Sequence, residues 1–165
     1  MNSQCATEDR TPGPATRFFT KPGQRPTIMV LHAEDGEIAE LFGILGRCGY
    51  NVEWWTTLSD GLAGLRTIAP PIVMCESNLP DGSWKDLLHR IRSFEPAPLE
   101  IVTDRSADER LWGDVLSAGA YDLLMEPFDA GEVIRSLSFA IQYWHETQMV
   151  RRGFGWSRSH ARRSA

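Results

Sequence analysis

The sequence predicts an α/β protein with a doubly wound, five-stranded parallel sheet and helices on both faces, the flavodoxin-like topology. Five short apolar segments alternate along the chain with five segments whose apolar residues recur at helical spacing. The third apolar segment, Ile72–Glu76, contains no charged residue before its last position. An apolar run of this kind, bounded by turn residues, is typical of a strand that is buried on both faces of a parallel sheet.

The five predicted strands share short apolar runs that end at polar or turn residues. In order they are 27–31, 50–56, 72–76, 99–103 and 121–125. The last strand is followed by a helix that starts near Asp129, in which Ile134 and Trp144 are expected to be buried. Helix ends follow from capping residues: Glu34 or Asp35 and Ser59 as N-caps, with Gly49 and Gly119 as terminators.

Composition and charge bound the class of protein. The chain has 165 residues, 42% of them hydrophobic and 24% charged, which suits one globular domain with tails. No apolar run approaches the roughly 18 residues that span a bilayer. The polar N-terminus lacks a signal-peptide layout, and the three cysteines share no metal-ligand spacing. We therefore expect a cytoplasmic protein in which Cys48 and Cys75 are buried free thiols.

The charges are distributed unevenly, which predicts three regions. Residues 1–26 form a predicted disordered tail, and 27–146 form the domain. Residues 147–165 are predicted to be a helix extension that breaks at Gly153 into a disordered, Arg-rich tail. Residues 27–147 carry eight basic and twenty acidic side chains, a balance that argues against nucleic-acid binding by this surface. The Arg-rich tail alone keeps a nucleic-acid, anionic-membrane or acidic-partner contact open.

Glu76 is the first candidate for function. It ends the buried third strand and precedes a turn, 78–82, that is rich in helix breakers. In doubly wound sheets, functional groups collect beyond the carboxyl ends of the strands.

Four short motifs, in order and at matching spacing, resemble the receiver domain of two-component response regulators over residues 27–146. They are Gly49-Tyr50-Asn51-Val52, Asn78-Leu79-Pro80-Asp81-Gly82, Thr103 at the end of the fourth strand, and Ala118-Gly119-Ala120-Tyr121-Asp122 leading to Glu126-Pro127-Phe128. The resemblance implies a five-stranded doubly wound domain. It also implies that an Asp accepts a phosphoryl group with the help of Mg²⁺, and that a partner reads the changed surface.

The positions that the resemblance assigns to this chemistry are largely substituted. Glu76 takes the place of the phosphoacceptor Asp, His32 and Ala33 that of two acidic residues, and Glu126 that of a Lys before Pro127. Thr103 keeps the family's hydroxyl, and Leu123 replaces an aromatic residue used as a switch. The adjacent acids Glu34 and Asp35 could partly restore an acidic pair if the first loop were shifted.

These substitutions predict a degenerate receiver that is not phosphorylated, has no catalytic residues and binds neither Mg²⁺ nor another cofactor. Mg²⁺ prefers oxygen ligands, which an imidazole and a methyl group do not supply. Glu126 would also repel the phosphoryl group, and a like-charge contact at about 4 Å costs about 4 kcal/mol at an effective dielectric constant of about 20. We expect His32 to pair with Glu76 or Glu126, with one carboxylate partly protonated.

Four alternatives remain open from the residues alone. Glu76 could imitate a phosphorylated Asp, or the receiver could still be phosphorylated. His32, Glu34, Glu76 and Glu126 could instead form a transition-metal site, or the same crevice could bind a small molecule.

The expected partners are a histidine kinase or an effector protein, and a second copy of the chain through the 107–146 face. Aromatic residues suggest where contacts could occur. Trp54 and Trp55 are predicted to divide between surface and core, while Trp84 and Trp112 could mark an interface.

Overall fold

Five parallel strands form the central sheet of the protein. The computed structural model describes residues 25–33 and 38–160, with side chains described as far as Arg151. The strands are β1 Thr27–Leu31, β2 Asn51–Trp55, β3 Ile72–Glu76, β4 Leu99–Asp104 and β5 Asp122–Met125. Their order, β2-β1-β3-β4-β5, confirms the predicted doubly wound topology.

Five helices cover the two faces of this sheet. They are α1 Ile38–Arg47, α2 Leu58–Ile68, α3 Trp84–Ile91, α4 Glu109–Ala118 and α5 Ala130–His160. One apolar core lies under α1 and α5, and a second lies under α2, α3 and α4. Strand β3 serves both cores, since Ile72 and Met74 face the first and Val73 and Cys75 the second. The prediction of a strand buried on both faces is confirmed.

The start of α2 differs from the prediction. Thr57, and not Ser59, is the N-cap, and its side chain accepts a hydrogen bond from the backbone N–H of Asp60 at 3.2 Å. Ser59 is held instead by the carboxylate of Asp81, to which its N–H and hydroxyl donate at 2.9 and 2.7 Å. Asp81 also accepts from the N–H of Leu58 at 2.6 Å, so the 78–82 turn supplies a second cap to α2 from a distance in sequence.

Other helix ends follow their local signals. Gly49 and Gly119 have φ of 81° and 96°, the left-handed backbone that glycine adopts without strain, and they follow α1 and α4 as predicted. Ser83 precedes α3 and forms a capping box with Asp86. Residue pairs 78–79 and 82–83 also form a small antiparallel ladder within the preceding turn.

Helix α5 departs from the prediction twice. Ile134 is 43% exposed, because its neighbours Val133 and Leu137 occupy the core-facing stripe. The backbone also remains helical to His160, past the break expected at Gly153. One glycine costs a helix only about 1 kcal/mol relative to alanine, which does not end it. Trp144 is half-buried and donates from Nε1 to the carbonyl of Ala97 at 2.8 Å.

The tails and cysteines are described only in part. Cys75 is buried and Cys48 half-buried, both as free thiols, whereas the predicted N-terminal tail up to residue 24, Cys5 and residues 161–165 lie outside the described residues. The domain boundaries stay predictions. Within the described residues, no helix combines the length and the apolarity that a membrane crossing requires.

Candidate functional site

The predicted site residues gather at the carboxyl edge of the sheet. His32 and Ala33 directly follow β1, Glu76 ends β3, and Glu126 follows β5. Parallel strands bring these ends together, which is why residues distant in sequence become neighbours. Glu126 joins Pro127 through a cis peptide bond. Glu34 falls in the 34–37 gap, outside the described residues.

His32 lies between two carboxylates. Its Nε2 is 3.2 Å from Oε1 of Glu126, and its Nδ1 is 3.7 Å from Oε2 of Glu76. His32 is 1% exposed and Glu126 3%, so the contact between them is shielded from solvent. The prediction that His32 pairs with one of these acids is confirmed, and the structure shows that it contacts both.

Glu76 has a second partner in the first loop. The backbone N–H of Ala33 donates to its Oε2 at 2.9 Å, the same oxygen that faces His32. The contribution of Ala33 is therefore its peptide group, while its methyl side chain can bind no metal. The Glu76 side chain remains 21% exposed, so solvent reaches this acid but hardly reaches Glu126.

Arg105 is a site residue that the sequence analysis missed. Its Nε lies 3.6 Å from Oε2 of Glu126, and its side chain is 49% exposed. Glu126 thus lies between an imidazole on one side and a guanidinium on the other. The available signal was position alone, because Arg105 is the first residue after β4 at the edge where the other site residues lie.

Thr103 occupies the predicted position but does not join this network. It is 2% exposed and pairs in register with Glu76 across β3 and β4. Its hydroxyl oxygen has no hydrogen-bond partner among the described residues. Leu123, in the position that the resemblance assigns to an aromatic switch, is buried in the core under α4.

The four tryptophans that the sequence analysis singled out differ in how far they are buried. Trp54 donates from Nε1 to the carbonyl of His32 at 2.9 Å and is 37% exposed, while Trp55 packs against the core under α2. This confirms the predicted division between surface and core. Trp84 is 4% exposed and so contributes to the core and not to an interface, whereas Trp112 is 53% exposed.

The described members of the donor set, His32, Glu76 and Glu126, do not fit a metal ion. Among the described residues, no group of three or more histidine, cysteine, aspartate or glutamate side chains is arranged to hold one. The geometry explains this, because the two nitrogens of His32 face different carboxylates and do not converge with them on a point. Mg²⁺ fits no better, since one of the two positions for acidic ligands is a methyl group and the other a ring engaged by Glu76 and Glu126.

Comparison with known proteins identifies the domain, although no family model matches the chain. The chain is 35% identical over 121 residues to the "Probable transcriptional regulatory protein TcrX" of Mycobacterium tuberculosis, covering 70% of this chain and 49% of that protein. It is 31% identical over 117 residues to the transcriptional regulatory protein QseB of Haemophilus influenzae, covering 70% and 48%. The chain therefore spans about half the length of the curated relatives it matches.

A solved structure gives the same result. The fold is similar to the non-phosphorylated HemR receiver domain of Leptospira biflexa, with a TM-score of 0.62 and 26% identity over 71% of this chain and 94% of that domain. The strand order, the sequence similarity to the two regulators and the match to a complete receiver domain agree. The globular part of this chain belongs to the receiver domains of two-component response regulators, the CheY-like family.

Proposed function

We propose that this receiver domain acts as a protein-interaction module in two-component signalling and is not phosphorylated at Glu76. The observation that carries the proposal is the bridge that His32 makes between Glu76 and Glu126. In this arrangement the acids of the site are occupied by partners from the chain itself.

Phosphoryl transfer to a carboxylate needs a free oxygen nucleophile and positive charge around the transferred group. Oε2 of Glu76 is held by Ala33 and faces His32, so only the other carboxylate oxygen is left for attack, and the cation that would draw a phosphoryl group to it is replaced by an acid. An approaching phosphoryl group would also meet Glu126 where the resemblance expects a Lys. The same absence of a Lys weakens the alternative in which Glu76 imitates a phosphorylated Asp.

The proposal names a class of partner and not an individual protein. Relatives named as transcriptional regulators support a signalling role in which the partner is a histidine kinase or an effector protein. The proposal also places the domain in the cytoplasm and gives it no catalytic activity of its own. The face that includes α4, β5 and the start of α5 exposes Trp112, Met125 and Ile134, at 53%, 51% and 43%. These side chains support an effector contact or a homodimer through the 107–146 face.

Arg151 supports a modest role for the Arg-rich end. Its guanidinium lies 3.0 Å from Oε1 of Glu95, so at least one arginine of this segment pairs within the domain. Deletion of residues 152–165 is expected to leave capture of a partner by the 107–146 face unchanged, as a pull-down with a cross-linkable variant would measure.

The deciding experiment is incubation with acetyl phosphate and Mg²⁺, followed by intact-mass spectrometry. We expect no phosphorylated species. A matched control is the variant with His32→Asp, Ala33→Asp, Glu76→Asp and Glu126→Lys, which rebuilds the family's residues and is expected to gain the modification. A receiver domain that acetyl phosphate is known to phosphorylate, treated in parallel, shows that the reagents work. A phosphorylated wild-type protein whose modification disappears in Glu76→Gln would disprove the proposal.

A further inference from the structure

A second buried acid lies at the opposite end of the sheet. Glu100 is in β4, 1% exposed, and neither carboxyl oxygen has a hydrogen-bond partner within the described residues. Thr103 at the carboxyl edge is three residues further along the same strand, about 10 Å away. Glu100 is thus separate from the His32 network, and buried polar groups without partners are uncommon in folded proteins.

A cavity of about 280 Å³ adjoins Glu100. Strand alternation places Glu100 on the same face as Val102, toward α3 and α4, and the cavity wall includes Leu88 and Ile91 of α3 and Ala120 before β5. The remaining wall is formed by residues 97–99, Gly119, Arg92, Tyr121 and Tyr143. The volume is just below the usual range for drug-sized ligands, so the cavity suits a smaller molecule.

The polar groups around the cavity indicate what it would accept. Burial raises the pKa of Glu100 to about 9, so at neutral pH its side chain is a carboxylic acid with one donor and one acceptor side by side. Arg92 is at the rim, where its guanidinium donates to the carbonyl of Ala118. Its charge disfavours a cationic guest. The rings of Tyr121 and Tyr143, 5.9 Å apart, supply flat walls.

We propose that this cavity is a binding site for a small, planar, uncharged molecule that presents an adjacent hydrogen-bond donor and acceptor, such as an amide or lactam, to the carboxyl group of Glu100. Two parallel hydrogen bonds would satisfy both oxygens of the buried acid at once, which an apolar guest cannot do and a single hydroxyl, with its donor and acceptor on one atom, does in a more strained geometry. The site differs from the receiver's phosphorylation position in place and in chemistry.

Three probes of nearly the same shape test the ligand class: benzamide, which is neutral, benzamidinium, which is a cation, and benzoate, which is an anion. Each is titrated at neutral pH while the amide resonances of Ala97, Ala120 and Tyr121 are followed by NMR. Benzamide is expected to shift these resonances saturably and to bind most tightly of the three. Preference for benzamidinium or benzoate would overturn the proposed ligand class, and absence of saturable binding by all three would overturn the site.

Two substitutions separate recognition from cavity shape. Glu100→Gln keeps an adjacent donor and acceptor and is expected to retain benzamide binding, whereas Glu100→Met has similar length without either group. We expect Glu100→Met to weaken binding at least about tenfold. Equal binding by both variants would show that Glu100 does not recognise the probe.

A third variant keeps the test valid if Glu100→Met does not fold. Ala120→Leu fills the cavity while leaving Glu100 in place, and circular dichroism establishes that each variant is folded. Benzamide binding is expected to be lost in Ala120→Leu, and retained binding would place the probe elsewhere. Raising the pH through 9 should weaken binding to the wild type but not to Glu100→Gln, because only the former loses its donor.

Discussion

Glu126 and Glu100 are two acids buried in one domain, 3% and 1% exposed, and they are accommodated in opposite ways. Glu126, at the carboxyl edge of the sheet, has His32 and Arg105 as basic partners. Glu100, near the amino edge, has no hydrogen-bond partner among the described residues, and burial keeps it protonated although the charge of Arg92 opposes this. One acid is neutralised by neighbouring side chains and the other by a bound proton.

The difference determines which change makes each buried acid destabilising. A paired acid depends on neighbouring residues, so a single substitution that removes one of them lowers the free energy of unfolding of the protein. A protonated acid depends on the pH of the solution, so alkali lowers the free energy of unfolding instead. The two ends of the sheet should therefore respond to different perturbations.

The largest effect is expected from His32→Ala. This substitution removes the ring between Glu76 and Glu126 and leaves a buried acid with a weaker partner set, at a cost of about 3 kcal/mol in the free energy of unfolding. Urea denaturation measures the change. Adding Glu126→Gln should recover part of the loss, because it removes the charge left behind. A loss that is unchanged in the double variant would mean that His32 acts only through packing.

Glu100→Gln is expected to raise stability at neutral pH. The pKa of Glu100 rises from 4.5 to about 9 on folding, so between these values the unfolded chain holds fewer protons than the native protein. The free energy of unfolding of the wild type therefore falls with rising pH, by about 1.4 kcal/mol per pH unit. The deficit amounts to about 3 kcal/mol at pH 7 and stops growing above the folded pKa.

Denaturant unfolding of both proteins across pH checks this prediction. The variant's advantage should shrink as the pH falls, and below pH 4.5 only the small difference between a neutral acid and an amide should remain. A constant difference at every pH would show that Glu100 is ionised in the native protein. Glu95→Gln, on the exposed loop nearby, is the matched control and should leave the pH profile unchanged.

A smaller effect is expected at Asp81, the exposed acid that caps α2 across the carboxyl edge. Asp81→Ala removes hydrogen bonds to Leu58 and Ser59 and should cost about 1 kcal/mol, measurable as a lowered midpoint in urea. Hydrogen bonds from the Ser59 hydroxyl and from the N–H groups of Ser59 and Leu58 lower the pKa of Asp81. Its stabilisation is therefore present above the ordinary value of 3.8 and is lost as the pH falls through the lowered pKa. An Asp81→Asn variant that loses as much as Asp81→Ala would contradict a capping role.

The smallest effect is expected from Arg105→Ala. Arg105 is half exposed, so its ion pair with Glu126 is screened and should contribute about 0.5 kcal/mol. The loss should decrease in high salt. A loss as large as that of His32→Ala would show that Arg105, and not His32, is the main partner of Glu126.

The fold was predictable because its signals are local. The apolar run at Ile72–Glu76 and the glycines at 49 and 119 each act within a few residues, and the structure confirms them. The prediction was wrong where a residue distant in sequence makes the contact. The Ser59 hydroxyl donates to Asp81, and Thr57 is the N-cap of α2. Glu100 was also missed, although a lone carboxylate inside an otherwise apolar strand was a signal available in the sequence.

The candidate site was predictable in its membership but not in its connections. The resemblance placed His32, Glu76 and Glu126 at one edge, but it did not predict that both nitrogens of His32 contact carboxylates, as they do in the structure. Arg105 could not have been chosen over other surface arginines, because side-chain direction in a loop has no sequence period.

Ala97 mechanically links two parts of the molecule. It contributes to the wall of the Glu100 cavity, and its carbonyl accepts the hydrogen bond from Trp144 of α5. Glu95, two residues before Ala97 in the same loop, pairs with Arg151, which lies further along α5 than Trp144. A displacement of this loop must therefore either break these contacts or tilt the helix with it. Movement of the far end of α5 would therefore be transmitted through these contacts to the residues that border the cavity.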